Sequence, residues 1–164
     1  MATLTATYPR LVAGPIMETT KVLIKSGQTW NPGQFLRVDT SGLLVAAASN
    51  ASAAGGGIQY FSLTTQTDPG NSTTLAEVGI IHQDHVFEMN ELNGTVTTSN
   101  IGNHYALDVT SNIGTLDVDD TSNDCFEVVD VGSEYNPLQN TAADVKGRAR
   151  VKILPAVINA ARTA

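Results

Sequence analysis

The stretch Lys21-Val-Leu-Ile-Lys-Ser-Gly-Gln-Thr-Trp30-Asn-Pro-Gly-Gln-Phe-Leu-Arg-Val-Asp-Thr40-Ser-Gly-Leu-Leu-Val-Ala-Ala-Ala-Ser49 decides the fold class. Lys21–Lys25 is a short apolar run closed by Ser26-Gly27. In Trp30-Asn31-Pro32-Gly33, proline presets φ at the second turn position and glycine supplies positive φ at the third. Gln34–Val38 follows, then the turn Asp39-Thr40-Ser41-Gly42, then Leu43–Ala48. Alternation of period two between glycine-closed turns signals antiparallel hairpins and not helices.

The same grammar runs outward from this stretch. After the small-residue loop Asn50–Gly57, strands are expected at Ile58–Thr64, Thr74–Ile81 and His85–Met89, the last continuing or pairing with its predecessor across Gln83-Asp84. Ile101–Val109 and Ile113–Val118 flank Thr110-Ser111-Asn112 as a further hairpin. Cys125–Val131 is apolar on both faces and reads as a central strand. Gly132–Asp144 reads as a long loop. Arg148–Leu154 reads as a final strand with basic residues along one side, and Pro155 ends it and can start a short helix. No long-period repeat is visible. The texture changes at Asn90–Thr95, which suggests a core over residues 21–90 and a second β unit, or a continuation of the same one, over 91–164. The chain is therefore expected to be all-β, an antiparallel barrel or sandwich built from hairpins.

Residues 1–20 contain two prolines, a glycine and five threonines, with no helical period. Pro9 and Pro15 bias their neighbours toward extended backbone. Tyr8, Leu11, Val12, Ile16 and Met17 are apolar enough to seek a surface. An extended arm docked on another subunit is the expectation, with a first strand of the same domain, or simple disorder, as the alternatives.

Charge is segregated. The net charge is -7, yet 15 of the 16 acidic residues lie between Arg37 and Lys146, where there is no lysine or arginine. Residues 1–37 carry +3 (Arg10, Lys21, Lys25 and Arg37 against Glu18), and residues 146–164 carry +5. An acidic body with basic ends can orient a protein on an acidic surface. Nucleic acid is not expected as a partner, because aromatic and basic residues are not interleaved. The lone Cys125 cannot form an intrachain disulfide. The basic-then-apolar layout of a signal peptide is missing, and no apolar run approaches the ~20 residues needed to span a bilayer. Synthesis in a reducing cytoplasm is the expectation.

Chemistry-bearing clusters are sparse. His82-Gln83-Asp84-His85, with Glu88 nearby, is the nearest approach to a metal site. In a strand, positions 82 and 85 face opposite sides, so only a bend would let both reach one ion. Asp117–Asp124 concentrates carboxylates but has Ser122 and Val128 where a calcium-binding helix-loop-helix needs glycine and glutamate. Cys125 has no basic neighbour to lower its pKa, and no serine sits in a Gly-x-Ser-x-Gly elbow. An enzyme is not expected, nor a cofactor or metal. Trp30 and Phe35, bracketing Asn31-Pro32-Gly33, are expected to close one end of a barrel.

The succession Ser26-Gly27, Gly33-Gln34-Phe35-Leu36-Arg37-Val38-Asp39-Thr40-Ser41-Gly42-Leu43-Leu44-Val45-Ala46-Ala47 resembles the opening of tailed-bacteriophage capsid decoration, or cement, proteins. The likeness covers the arm and roughly residues 20–90. It implies a small β-barrel virion protein, commonly a homotrimer, that sits on the capsid exterior after synthesis in the host cytoplasm. There it binds the major capsid protein and clamps neighbouring capsomers. Tyr8, Arg10, Leu11, Val12, Ile16, Lys21 and Lys25 are the residues expected to meet the capsid. Two other readings stand beside it: a receptor- or glycan-binding module of a tail or fibre, and a metal-dependent hydrolase centred on His82, Asp84 and His85.

Overall fold

The computed structural model describes residues 7–49, 51–54, 56–93, 96–133, 136–137 and 147–160. Its strands are β1 (Arg10–Ala13), β2 (Thr19–Leu23), β3 (Thr29–Trp30), β4 (Phe35–Val38), β5 (Leu44–Ala46), β6 (Tyr60–Ser62), β7 (Gln66–Thr67) and β8 (Leu75–Ile80). They continue with β9 (Val86–Asn90), β10 (His104–Thr110), β11 (Ile113–Asp117), β12 (Phe126–Asp130), β13 (Gly132–Ser133), β14 (Asn136–Pro137) and β15 (Arg148–Ile153), and a short helix α1 (Pro155–Ala160) follows. The fold is all-β and antiparallel, as expected.

Two hairpins form where local chemistry dictates them. Asp39 closes the β4–β5 turn, its Oδ1 accepting from the amides of Ser41 at 2.9 Å and Leu43 at 3.1 Å. Gly42 takes φ +77° there, which a side chain rarely adopts. In the β10–β11 turn Ser111 and Asn112 both sit at positive φ, 54° and 66°, the geometry that matches strand twist in a two-residue hairpin. Arg148, Arg150 and Lys152 alternate with buried Ala149, Val151 and Ile153, which is the basic-sided final strand anticipated from sequence. β12 lies between β10 and β15, hence centrally.

The strands assemble into a five-stranded sheet, β2-β8-β6-β4-β5, and a six-stranded sheet, β1-β9-β15-β12-β10-β11. Three expectations are corrected by this layout. β2 does not pair with β4; the chain between them runs out as β3 to pair with β7, and β8 takes the place beside β2. β9 neither continues nor pairs with β8 but crosses to the other sheet over Ile81–His85. And residues 7–20 are not an arm reaching to another subunit: β1 pairs with β9 in its own chain, so the alternative of a first strand is the one realised. Pro9 and Pro15 flank an edge strand, where prolines are tolerated because no ladder donor is lost. Residues 1–6 lie outside the described residues, as do 134–135 and 138–144 of the expected long loop, part of whose remainder is the β13–β14 ribbon.

The two sheets share one core. Phe35 and Phe61 of the first sheet meet Phe87 and Phe126 of the second, with ring centroids 5.0–5.6 Å apart. Alternation along β4 then sends Leu36 to the opposite face, into a second cluster with Ile24, Trp30, Leu44, Ala76 and Val78. Trp30 and Phe35 therefore do not close one barrel end together; they lie in different clusters.

A repeat invisible in the sequence emerges from the pairing. In chain order the strands of the first sheet are β2, β4, β5, β6, β8, and those of the second, β1 aside, are β9, β10, β11, β12, β15. Both run first-fifth-fourth-second-third across the sheet. In both, the residue after the first strand makes a parallel bridge to the third: Ile24 to Leu44, and Glu91 to Leu116. The backbone bonds repeat as well. Lys25 N donates to Leu44 O as Leu92 N does to Leu116 O, and Ile24 N donates to Thr74 O as Glu91 N does to Gly147 O. Gln59 N donates to Leu36 O as Cys125 N does to Tyr105 O. The fold is a duplicated five-stranded unit, packed face to face.

Candidate functional site

The N-terminal segment from Thr7 to Glu18 crosses the second unit and is anchored at both ends. At its start, Arg10 Nη2 lies 2.8 Å from Oε1 of Glu88, and Arg148 Nη1 lies 3.3 Å from the same oxygen. Arg150 Nε approaches the other oxygen at 3.9 Å, while its Nη1 bonds Asp130 at 2.9 Å. Glu88 itself is only 4% exposed. A carboxylate so deprived of water is held by these cations. Register explains the convergence: Arg10 and Arg150 are the cross-strand partners of Glu88 on β1 and β15. Thr7, Tyr8, Asn90 and Arg148 wall a cleft of about 260 Å³ beside them.

At the segment's other end, His85 is fully buried. Its Nε2 lies 3.1 Å from the carbonyl oxygen of Pro15, and its Nδ1 accepts from the amide of His82 at 3.1 Å. A carbonyl can only accept, so Nε2 carries the proton and the ring is satisfied on both sides as the neutral tautomer. Burial pushes its pKa below the usual histidine value; the carbonyl of Pro15 and the carboxylate of Asp84 oppose this, and His82 adds to it. Gly14, at φ +119°, passes so close to Asp84 and His85 that a side chain there has no room. An open groove of about 450 Å³ lies between Pro15, Glu18, the 82–84 turn and α1.

From Val12 to Ile16 the chain is exposed. Val12 is 36% exposed and Ile16 is 93% exposed. Of the residues expected to meet a capsid, Val12, Ile16 and Lys21 present their side chains to solvent without an ion pair or hydrogen bond among the described residues. The others are engaged internally. The hydroxyl of Tyr8 accepts from Asn31 at 2.9 Å, Leu11 packs on the main core, Arg10 holds Glu88, and Lys25 pairs with Asp39 at 2.9 Å. The hydrogen bond from Lys25, joined by backbone amides, holds the carboxyl of Asp39 below its ordinary value.

The remaining sequence candidates are placed as follows. The rings of His82 and His85 stand edge to face at 5.4 Å, and the bend between them is tied by the histidine's own bond to the turn. No group of three or more potential metal ligands occurs among the described residues. Asp117 and Asp120 cap the amides of Asp119 and Ser122, and bonds from Asn123 and Ser122 lower the pKa of Asp120. His104 lies 4.0 Å from Asp124 at the surface. Cys125 is buried, which pushes its thiol up to about 11. Asp68 lies in the turn cluster Thr67–Ser72 that the sequence shows, and its carboxylate does more than close that turn. Burial opposes its ionisation, but four backbone amides (Gly27, Gly70, Asn71 and Ser72) donate to its Oδ2 and hold its pKa low, pinning the β7–β8 turn to the start of β3. Its position before Pro-Gly-Asn was the available signal.

Comparison with family models, with curated proteins and with solved structures returned no match.

Proposed function

We propose that this chain is a structural virion protein that binds the outer surface of a phage capsid, contacts the major capsid protein and stabilises neighbouring capsomers. The observation that carries the reading is the run Val12–Ile16, an exposed apolar stretch fixed along the edge of the sandwich by the ion pair of Arg10 with the buried Glu88 at one end and by a buried histidine at the other. Contiguous apolar surface fixed on a rigid body suits adhesion to a partner. The resemblance of Ser26–Ala47 to capsid decoration proteins supplies the kind of partner. Adhesion proceeds through the flank of the folded body, and association into a homotrimer belongs to the same proposal.

Mixing the protein with bare phage heads and sedimenting them tests it. The protein is expected to co-sediment to a saturating ratio, and an Ile16→Asp variant, whose change lies in solvent, is expected to fold normally and bind at least about tenfold more weakly. No co-sedimentation, together with binding to immobilised glycans, would favour a receptor-binding module instead.

A further inference from the structure

Among the described residues, the duplicated architecture leaves one position filled in the second unit and open in the first. In the second unit β9 has β15 on one side and β1 on the other. In the first unit β2, the equivalent strand, has β8 on one side and, among the described residues, only the bridge of Ile24 to Leu44 at its end on the other. The hydrogen-bond phase identifies the free groups. Ile80 N donates to Glu18 O and Ile24 N to Thr74 O, so residues 18, 20, 22 and 24 face β8. Thr19 and Lys21 therefore turn their backbone N–H and C=O outward with no described strand beside them, whereas the carbonyl of Leu23 is taken up by the parallel bridge of Ile24 to Leu44. An unpaired row of this kind is a template for another strand.

Equivalence also fixes what the incoming strand must carry. Ile24 corresponds to Glu91 by their shared bridge, so Lys21 corresponds to Glu88. In the second unit the added strand places Arg10 opposite Glu88. In the first the charge is inverted: Lys21 is exposed, its cross-strand neighbour is Glu77, and no carboxylate among the described residues lies within ion-pair distance of it. Beside it Leu23 and its cross-strand partner Leu75 are 40% and 55% exposed. A second copy of β2 centred on the same register sets Lys21 against Lys21, which disfavours self-pairing.

We infer that the outer edge of β2 is a docking site for one extended segment of the shell subunit, antiparallel to β2, with a carboxylate opposite Lys21 and an apolar residue over Leu23. The inference rests on the capsid reading for the identity of the partner and on the duplication for the site. Lys21→Pro is the discriminating variant, because that amide points away from β8 and its loss breaks no internal ladder bond. If wild type co-sediments with heads and Lys21→Pro does not, the site is supported. If both co-sediment, the site is overturned and the capsid reading stands. If neither does, the capsid reading falls, and a second arm judges the edge alone.

That arm titrates the labelled full-length protein with the peptide of residues 7–13 bearing Arg10→Glu, the strand that fills the equivalent position with its charge reversed. Amide shifts at Thr19 and Lys21 are expected, with binding about 3- to 10-fold weaker for the unaltered peptide. Lys21→Glu is expected to invert that preference. Absence of shifts at these amides, or no change of preference in Lys21→Glu, overturns the inference.

Discussion

Replacing Glu88 by glutamine keeps the side-chain shape and removes the charge on which three arginines converge. The carboxylate is 4% exposed, with Arg10 at 2.8 Å, Arg148 at 3.3 Å and Arg150 at 3.9 Å. Breaking a buried ion pair costs about 3–5 kcal/mol when the abandoned partner stays buried. Here the cations are 66%, 25% and 32% exposed, so water solvates much of what is left behind. The expected loss is therefore about 2 kcal/mol, which for a chain of this size lowers Tm by about 4–8 °C. Arg10→Gln removes the most exposed partner and is expected to cost less than about 1 kcal/mol. Urea unfolding of both variants, followed by circular dichroism, gives the two numbers. A Glu88→Gln loss below about 0.5 kcal/mol, or one no larger than that of Arg10→Gln, refutes the view that this carboxylate ties β1 and β15 to β9.

Phe35 touches three aromatic rings across the two sheets, so Phe35→Ala is expected to cost about 3–5 kcal/mol. Because the core is shared, Trp30 fluorescence and circular dichroism should still report one coincident urea transition. His85 is held neutral below the ordinary histidine pKa, so as pH falls below about 6.5 the unfolded chain takes up a proton that the folded one refuses. Stability is thus complete above that pH and declines beneath it; the urea midpoint should fall between pH 7.5 and 5.5, and His85→Gln should flatten the fall. With its thiol pushed up to about 11, Cys125 should ignore a thiol-disulfide reagent at pH 8 until urea unfolds the chain.

What the sequence disclosed was local. The β4–β5 and β10–β11 hairpins are written in Asp39, Gly42, Ser111 and Asn112, whose side chains or permitted dihedrals set the turn without help from elsewhere. The alternation of Arg148, Arg150 and Lys152 with apolar residues announced β15 directly. The pairings β2–β8 and β1–β9 were not legible, because each joins strands far apart in sequence and the register depends on which apolar faces meet. The threonine- and proline-rich opening was read as an arm for the same reason: an edge strand and a free arm have similar composition. In the sequence Glu88 stands out only as a neighbour of the His82–His85 cluster, since its cations arrive from β1 and β15. The duplication escaped notice because it lives in backbone bonds. Equivalent positions hold unlike residues, Ile24 against Glu91 and Lys21 against Glu88.

The shared phenylalanine cluster has a consequence for how the chain is made. Synthesis proceeds from the amino end, so the five strands of the first sheet leave the ribosome before β9 and β12 exist. Until Phe87 and Phe126 emerge, Phe35 and Phe61 face water on an otherwise finished surface. The nascent half is sticky on the side that later becomes the centre of the molecule. Rapid translation through the second half shortens that exposure, and a pause near Ile81 lengthens it.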